Sequence, residues 1–146
     1  MRISVIGSSN ATPKEVDIAE SVGHEVATSG YELVCGGLEG VMEAAARGAV
    51  EAGGQTIGIL PSTDRDTANP YIEVPIATGI GSMRNVMVVN NGDGVVAIGG
   101  HYGTLSEIAH ALDIGLPVVG IDTHQVEGVT QVGSAESALE HLEGLL

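Results

Sequence analysis

The residues best suited to chemistry lie in one segment, Gly99-Gly100-His101-Tyr102-Gly103-Thr104, with Glu107 three residues further on. Three glycines and a threonine stand between the apolar run Val95–Ile98 and the amphipathic stretch from Leu105 to Gly115. A strand handing over to a helix N-terminus in this way makes an anion cradle. Glycines lacking Cβ let the backbone come close to a phosphate, while free N–H groups and the helix dipole attract its charge. Two more glycine-containing segments end apolar runs upstream, Gly7-Ser8-Ser9 and Gly36-Gly37. Arg84, with Asn85 beside it, is one of only four arginines and offers a planar cationic fork for a phosphate or oxygen.

Several common phosphate sites are excluded by spacing. After the first apolar run the chain reads Gly7-Ser8-Ser9-Asn10-Ala11-Thr12, so the G-x-G-x-x-G dinucleotide fingerprint is missing. No G-x-x-x-x-G-K-[ST] segment occurs, and the single lysine, Lys14, lies elsewhere, which argues against a P-loop kinase or ATPase. His24, His101, His110, His124 and His141 show no metal-ligand spacing, and no metal site is expected. The lone Cys35 closes an apolar run and reads as an inert buried thiol.

The elements that must position these residues follow from the apolar pattern. Strands are expected at Arg2–Gly7, Glu32–Cys35, Thr56–Leu60, Ile72–Ile76, Val95–Ile98 and Val118–Ile121, with a short edge strand within Gly128–Gly133. Thr12-Pro13-Lys14-Glu15 opens a helix by a capping box with Pro at the first position, running to about Ser29 before Gly30. Further helices are expected over Val41–Ala52, Ser82–Asn90, Leu105–Ile114 and Ala135–Leu145. Near-continuous apolar strands alternating with helices predict an α/β fold in one domain over residues 1–146. Its core is a doubly wound, Rossmann-like, mostly parallel sheet of six to seven strands with helices on both faces. In such sheets ligands sit beyond the carboxyl ends of the strands, where the glycine segments after strands one, two and five all fall.

Composition narrows the partners. Five Lys and Arg face nineteen Asp and Glu, a net charge of −14. Phosphate-backbone neutralisation needs Lys and Arg, so nucleic acid is not an expected partner. Self-repulsion at this charge is relieved by salt, which predicts a halophilic protein. No run reaches the roughly 18 apolar residues that span a bilayer. The start, Met1-Arg2-Ile3, enters a strand without a basic-then-apolar signal. A cytoplasmic protein without membrane contact is expected.

In order along the chain, Gly36-Gly37-Leu38-Glu39-Gly40-Val41-Met42, Gly53-Gly54, Gly58-Ile59-Leu60-Pro61, Arg84-Asn85 and Gly99-Gly100-His101-Tyr102-Gly103-Thr104-Leu105-Ser106-Glu107 resemble the Lonely Guy (LOG) family over about residues 3 to 121. The match is to a prokaryotic branch of predicted Rossmann-fold nucleotide-binding proteins, which the molybdenum-cofactor carrier proteins also resemble. The resemblance implies a nucleoside 5′-monophosphate phosphoribohydrolase, cleaving the N-glycosidic bond with Arg84 and Glu107 as the catalytic pair. It places the phosphate on Gly99, Gly100, Gly103 and Thr104, and implies a homodimer or higher oligomer. The chain reads Gly81-Ser82-Met83-Arg84-Asn85 where the family's enzymes carry M-H-x-R-K, and Ile98 replaces the leading Pro of P-G-G. The carrier resemblance implies binding of a pterin-type phosphorylated cofactor without chemistry.

The reading carried forward is a small-molecule binding protein or carrier, requiring no resident cofactor, for a phosphorylated nucleotide or pterin-type ligand. Its expected site comprises Gly7, Ser8, Ser9, Gly36, Gly37, Arg84, Asn85, Gly99, Gly100, His101, Tyr102, Gly103 and Thr104, with Glu107 added if the chain is the hydrolase. Two local readings compete with these roles. Thr104-Leu105-Ser106-Glu107 is itself a T-x-x-E capping box, which would occupy the Glu107 oxygens. The plain alternative for Arg84 is a surface ion pair of little energetic value.

Overall fold

The computed structural model describes all residues, Met1–Leu146. Its strands are β1 (Arg2–Gly7), β2 (Glu32–Cys35), β3 (Thr56–Leu60), β4 (Val74–Ala77), β5 (Gly94–Ile98), β6 (Val118–Ile121) and β7 (Val129–Gln131). They form one sheet in the order β4-β3-β2-β1-β5-β6-β7, and every pairing is parallel. The helices are α1 (Pro13–Thr28), α2 (Val41–Glu51), α3 (Arg84–Asn90), α4 (Tyr102–Asp113) and α5 (Ala135–Glu143). This is the expected doubly wound α/β architecture, with the edge strand β7 realised inside the predicted window.

Alternation along each strand divides the core in two. Ile3, Val5, Leu33, Cys35, Val96 and Ile98 join residues of α1, α2 and α5 in one apolar cluster. Ile6, Val34, Val95 and Ala97, their neighbours in sequence, join residues of α3 and α4 in the other. Strands buried on both faces need apolar residues at every position, which is why they read as unbroken runs. The reversal of strand order between β1 and β5 leaves a crevice above their carboxyl ends, because the connections leaving the two strands go to opposite faces.

The capping box of α1 forms as read: Glu15 N–H donates to Thr12 Oγ1 at 3.2 Å, and Thr12 N–H to Glu15 Oε1 at 3.0 Å. Three elements, β4, α4 and α3, start elsewhere. β4 begins at Val74, not Ile72, because the Thr56 hydroxyl donates to Tyr71 O at 2.6 Å and accepts from Glu73 N–H at 2.9 Å. That clamp turns the chain inward, so Ile72 packs on the first core cluster before pairing begins. α4 begins at Tyr102, one turn before the expected Leu105. A short 3₁₀ turn, Gly81–Met83, precedes α3, so Met83 is exposed while Met87 packs on the second cluster.

Candidate functional site

The early start of α4 reshapes its N-terminus. Thr104 lies inside the helix, so the capping box with Glu107 does not form. His101 occupies the N-cap and makes no side-chain capping bond. The first helical amides therefore keep their hydrogens unused. From Gly100 to Thr104, five consecutive backbone N–H groups have no acceptor within the chain, backbone or side chain. At the start of this run, Gly99 and Gly100 take φ values of 53° and 92°, left-handed conformations that side chains strain to adopt. A Cβ on Gly99 would also collide with the Glu15 carboxylate, and one on Gly100 with the Thr104 hydroxyl.

Three of these five residues, His101, Gly103 and Thr104, line a cleft of about 230 Å³ at the switch point between β1 and β5. The end of β1 and its loop supply Gly7, Ser8 and Ser9; the turn after β2 supplies Gly36; α3 supplies Arg84 and Asn85. His101, Gly103, Thr104 and Glu107 close it from α4. Ten of the residues expected from sequence thus meet in one cleft. Four others do not line it. Gly37 is buried behind Gly36, and Tyr102 is 76% exposed with its ring stacked on His101 at 4.2 Å. Gly99 and Gly100 face a second, shallower cleft with Lys14, Asp122 and His124.

Sequence reasoning missed Val5, Ile6, Leu38 and Met42, which form the apolar part of the wall. Their apolar character signalled core, and only their position at strand ends distinguishes them from it. Leu38 and Met42, inside the glycine motif after β2, carried a signal of that kind.

Arg84 is not a surface ion pair. It is 8% exposed and has no carboxylate partner. Its Nε donates to Ile59 O at 2.8 Å and its Nη2 to Gly36 O at 3.3 Å, while Nη1 donates to Asn85 Oδ1. A Cβ on Gly36 would lie 2.7 Å from Nη2, so the glycine makes room for the guanidinium. The bond from Arg84 orients the Asn85 amide, whose Nδ2 lies beside Gly103. Burial lowers the Arg84 pKa from its ordinary value, and the nearby Glu107 opposes that effect. A guanidinium remains charged under any such shift in ordinary buffers.

Glu107 is 9% exposed, lines the cleft, and forms no ion pair within the chain, its carboxyl oxygens opening to the cleft. Burial pushes its pKa up to about 8, with Arg84 pulling the other way. The raised pKa favours the neutral acid at neutral pH. In that form Glu107 leaves the charge of Arg84 unopposed in the cleft and can donate a proton. Below it, Cys35 is buried and free, with its thiol pushed up to about 11, which suits the inert role read from sequence.

The family model described as SLOG cluster4 matches residues 1–144. The chain belongs to the SLOG cluster4 family. Among solved structures similar to this SLOG protein is the molybdenum cofactor binding protein of the phototrophic bacterium Rippkaea orientalis. It is 34% identical, covers 99% of this chain and 96% of its own, and has a TM-score of 0.94. The molybdenum cofactor carrier protein of Chlamydomonas reinhardtii is 31% identical over the same shares, with a TM-score of 0.90. A cytokinin riboside 5′-monophosphate phosphoribohydrolase of Arabidopsis thaliana, LOG5, is 32% identical over 117 residues. That alignment covers 76% of this chain and 51% of the plant enzyme. The SLOG cluster4 chain thus spans about half the length of that enzyme. No helix is long and apolar enough to cross a membrane.

Proposed function

We propose that the protein binds a phosphorylated nucleotide or pterin-type cofactor and acts as its carrier. One observation carries this reading: in a run of five amides without acceptors, those of His101, Gly103 and Thr104 belong to a cleft whose cation, Arg84, is buried and has no carboxylate partner. The first amides of a helix have no acceptor within it, so this run of open N–H groups at the positive end of the α4 dipole can take an anion. An anion supplies the missing acceptor, and protonated Glu107 does not repel it. At about 230 Å³ the cleft lies below the roughly 300–1,000 Å³ of sites that enclose a whole drug-sized ligand. It suits the phosphate end, with a ring system extending over the rim toward the His101–Tyr102 stack. The similarity to molybdenum cofactor binding and carrier proteins supports the class of ligand. Native mass spectrometry of freshly purified protein is expected to find a retained phosphorylated species, and titration of the stripped protein should show saturable binding. Stripped protein that binds no nucleoside monophosphate, pterin phosphate or inorganic phosphate would remove the proposal. Because Glu107 gains negative charge beside the ligand, affinity for a phosphate dianion should fall as pH rises through about 8.

A second reading, favoured by the raised pKa of Glu107, is hydrolysis. A carboxylic acid that is still protonated at neutral pH can act as a general acid on a leaving base, and its carboxylate can stabilise an oxocarbenium-like ribose. The carrier reading ranks first because Arg84 is fixed by bonds to Ile59 O, Gly36 O and Asn85, and because the family enzymes' lysine is the neutral Asn85 here. Incubation with a panel of nucleoside monophosphates separates the two. Free base released in multiple turnovers would make the protein a phosphoribohydrolase.

The charge and the surface suggest the working conditions. The stretch 74–92 carries no acidic residue in a chain of net charge −14, and it exposes Ile76, Ile80, Met83 and Val86. A second copy can approach there without like-charge repulsion, so we place the homodimer contact on this face. Added salt is expected to raise the unfolding temperature and to leave a dimer in sedimentation. Full stability in low-salt buffer would refute the halophilic reading, and a monomer at high salt would refute the dimer.

A further inference from the structure

The end of β6 and the turn after it touch the glycine loop at three points. Gly99 N–H donates to Ile121 O at 3.3 Å. The Thr123 hydroxyl donates to Gly99 O at 2.6 Å, and His124 Nε2 lies 3.0 Å from His101 O. A carbonyl can only accept, so His124 carries its proton on Nε2 in this contact. The turn reaches the loop because Asp122 adopts φ 49°, in the left-handed region, which sends Thr123 and His124 back beneath it. Gln131 Nε2 then holds His124 O at 3.0 Å.

These bonds act on orientation. In a planar trans peptide the carbonyl and the following N–H point in opposite directions. Drawing Gly99 O toward Thr123 therefore turns Gly100 N–H away from β6, and drawing His101 O toward His124 does the same for Tyr102 N–H. Both belong to the five amides without acceptors. His101 O also accepts from Leu105 N–H at 3.0 Å, so that plane is held twice. Gly99 O has Thr123 alone. Gly99 and Gly100 have no side chains to hold them, and the energy surface of a glycine pair is broad.

We propose that the Asp122–His124 turn is a brace that sets the peptide planes of the glycine loop, with Thr123 and His124 as positioning residues for its open amides. Its functional meaning rests on the loop being the anion site, and the test keeps the two ideas apart. The full chain, labelled with ¹⁵N, is compared as wild type, Thr123→Val and Thr123→Ser, each titrated with inorganic phosphate. Thr123→Val should shift the Gly99, Gly100 and Tyr102 amide resonances and weaken phosphate binding about tenfold, with little change in unfolding temperature. Thr123→Ser, which restores the hydroxyl, should return both. Wild-type resonances and affinity in Thr123→Val would overturn the brace, as would shifts spread evenly over the protein. Should Thr123→Val not fold, His124→Gln, which keeps an N–H donor, is compared with His124→Phe, which has none. In that pair, loop shifts are expected only in His124→Phe, and their absence overturns the proposal. A loop that loosens and recovers with the hydroxyl in a protein that never binds phosphate would support the brace and end the anion reading.

Discussion

Replacing Glu107 by Gln should make the protein more stable, and increasingly so as pH rises. The direction follows from linkage. Glu107 has a folded-state pKa of about 8, against an ordinary value of 4.5. Between those values the folded protein holds a proton that the unfolded chain has released, so stability falls with rising pH. The cost is absent below the unfolded pKa and complete above the folded one. At 1.36 kcal/mol per unit, it is about 3 kcal/mol at pH 7 and about 5 kcal/mol above pH 8. Gln is nearly the same shape, cannot ionise, and escapes this cost. Denaturant melts of the two proteins should coincide near pH 4 and separate steadily toward pH 9. Parallel curves across that range would mean that the carboxyl is hydrated in the folded state, and the site as drawn would be wrong. A side chain that weakens its own fold by this much calls for a reason in function.

The same residue shows where sequence was readable and where it was not. β1, β2, β3, β5 and β6 were legible because both sheet faces are covered, so burial alone dictates an apolar run. The start of α1 was legible because Thr12, Pro13 and Glu15 satisfy their requirements locally. β4 was displaced because a hydroxyl on β3 captures Tyr71 and Glu73, a partnership separated by more than a dozen residues and invisible to a local pattern. The start of α4 was misplaced for a different reason. The T-x-x-E signal at Thr104 is locally sound, yet the helix begins one turn earlier and leaves Glu107 facing the cleft. A local rule broken without local compensation marks a place where another requirement prevails. Here the result is an open row of amides and an unpaired acid. The burial of Arg84 was hidden likewise: its partners are the carbonyls of Ile59 and Gly36, and backbone acceptors carry no side-chain signature.

Thr104→Asp is expected to abolish phosphate binding while sparing the fold. Thr104 is 3% exposed and is the third residue of α4, among the open amides. An acidic side chain in the first turn of a helix is favourable, because it accepts the orphan N–H groups and complements the dipole. The variant thus carries its own anion where the ligand's would sit. A bound phosphate must then displace that carboxylate or approach it. Two like charges about 4 Å apart at a protein surface repel by about 4 kcal/mol, so affinity should drop at least about 100-fold. Thr104→Asn separates charge from shape: it has a similar outline and no charge, and should lose only about tenfold. The unfolding temperature of Thr104→Asp should equal or exceed that of wild type, since the amides now have an acceptor. Equal affinities for Thr104→Asp and wild type would place the phosphate away from this helix end. A fall as deep in Thr104→Asn as in Thr104→Asp would show that fit at Thr104, and not charge, governs the cleft. A much deeper loss in the acidic variant, with stability gained, would identify the open amides as the seat of binding, since only an acceptor that competes for them does both at once.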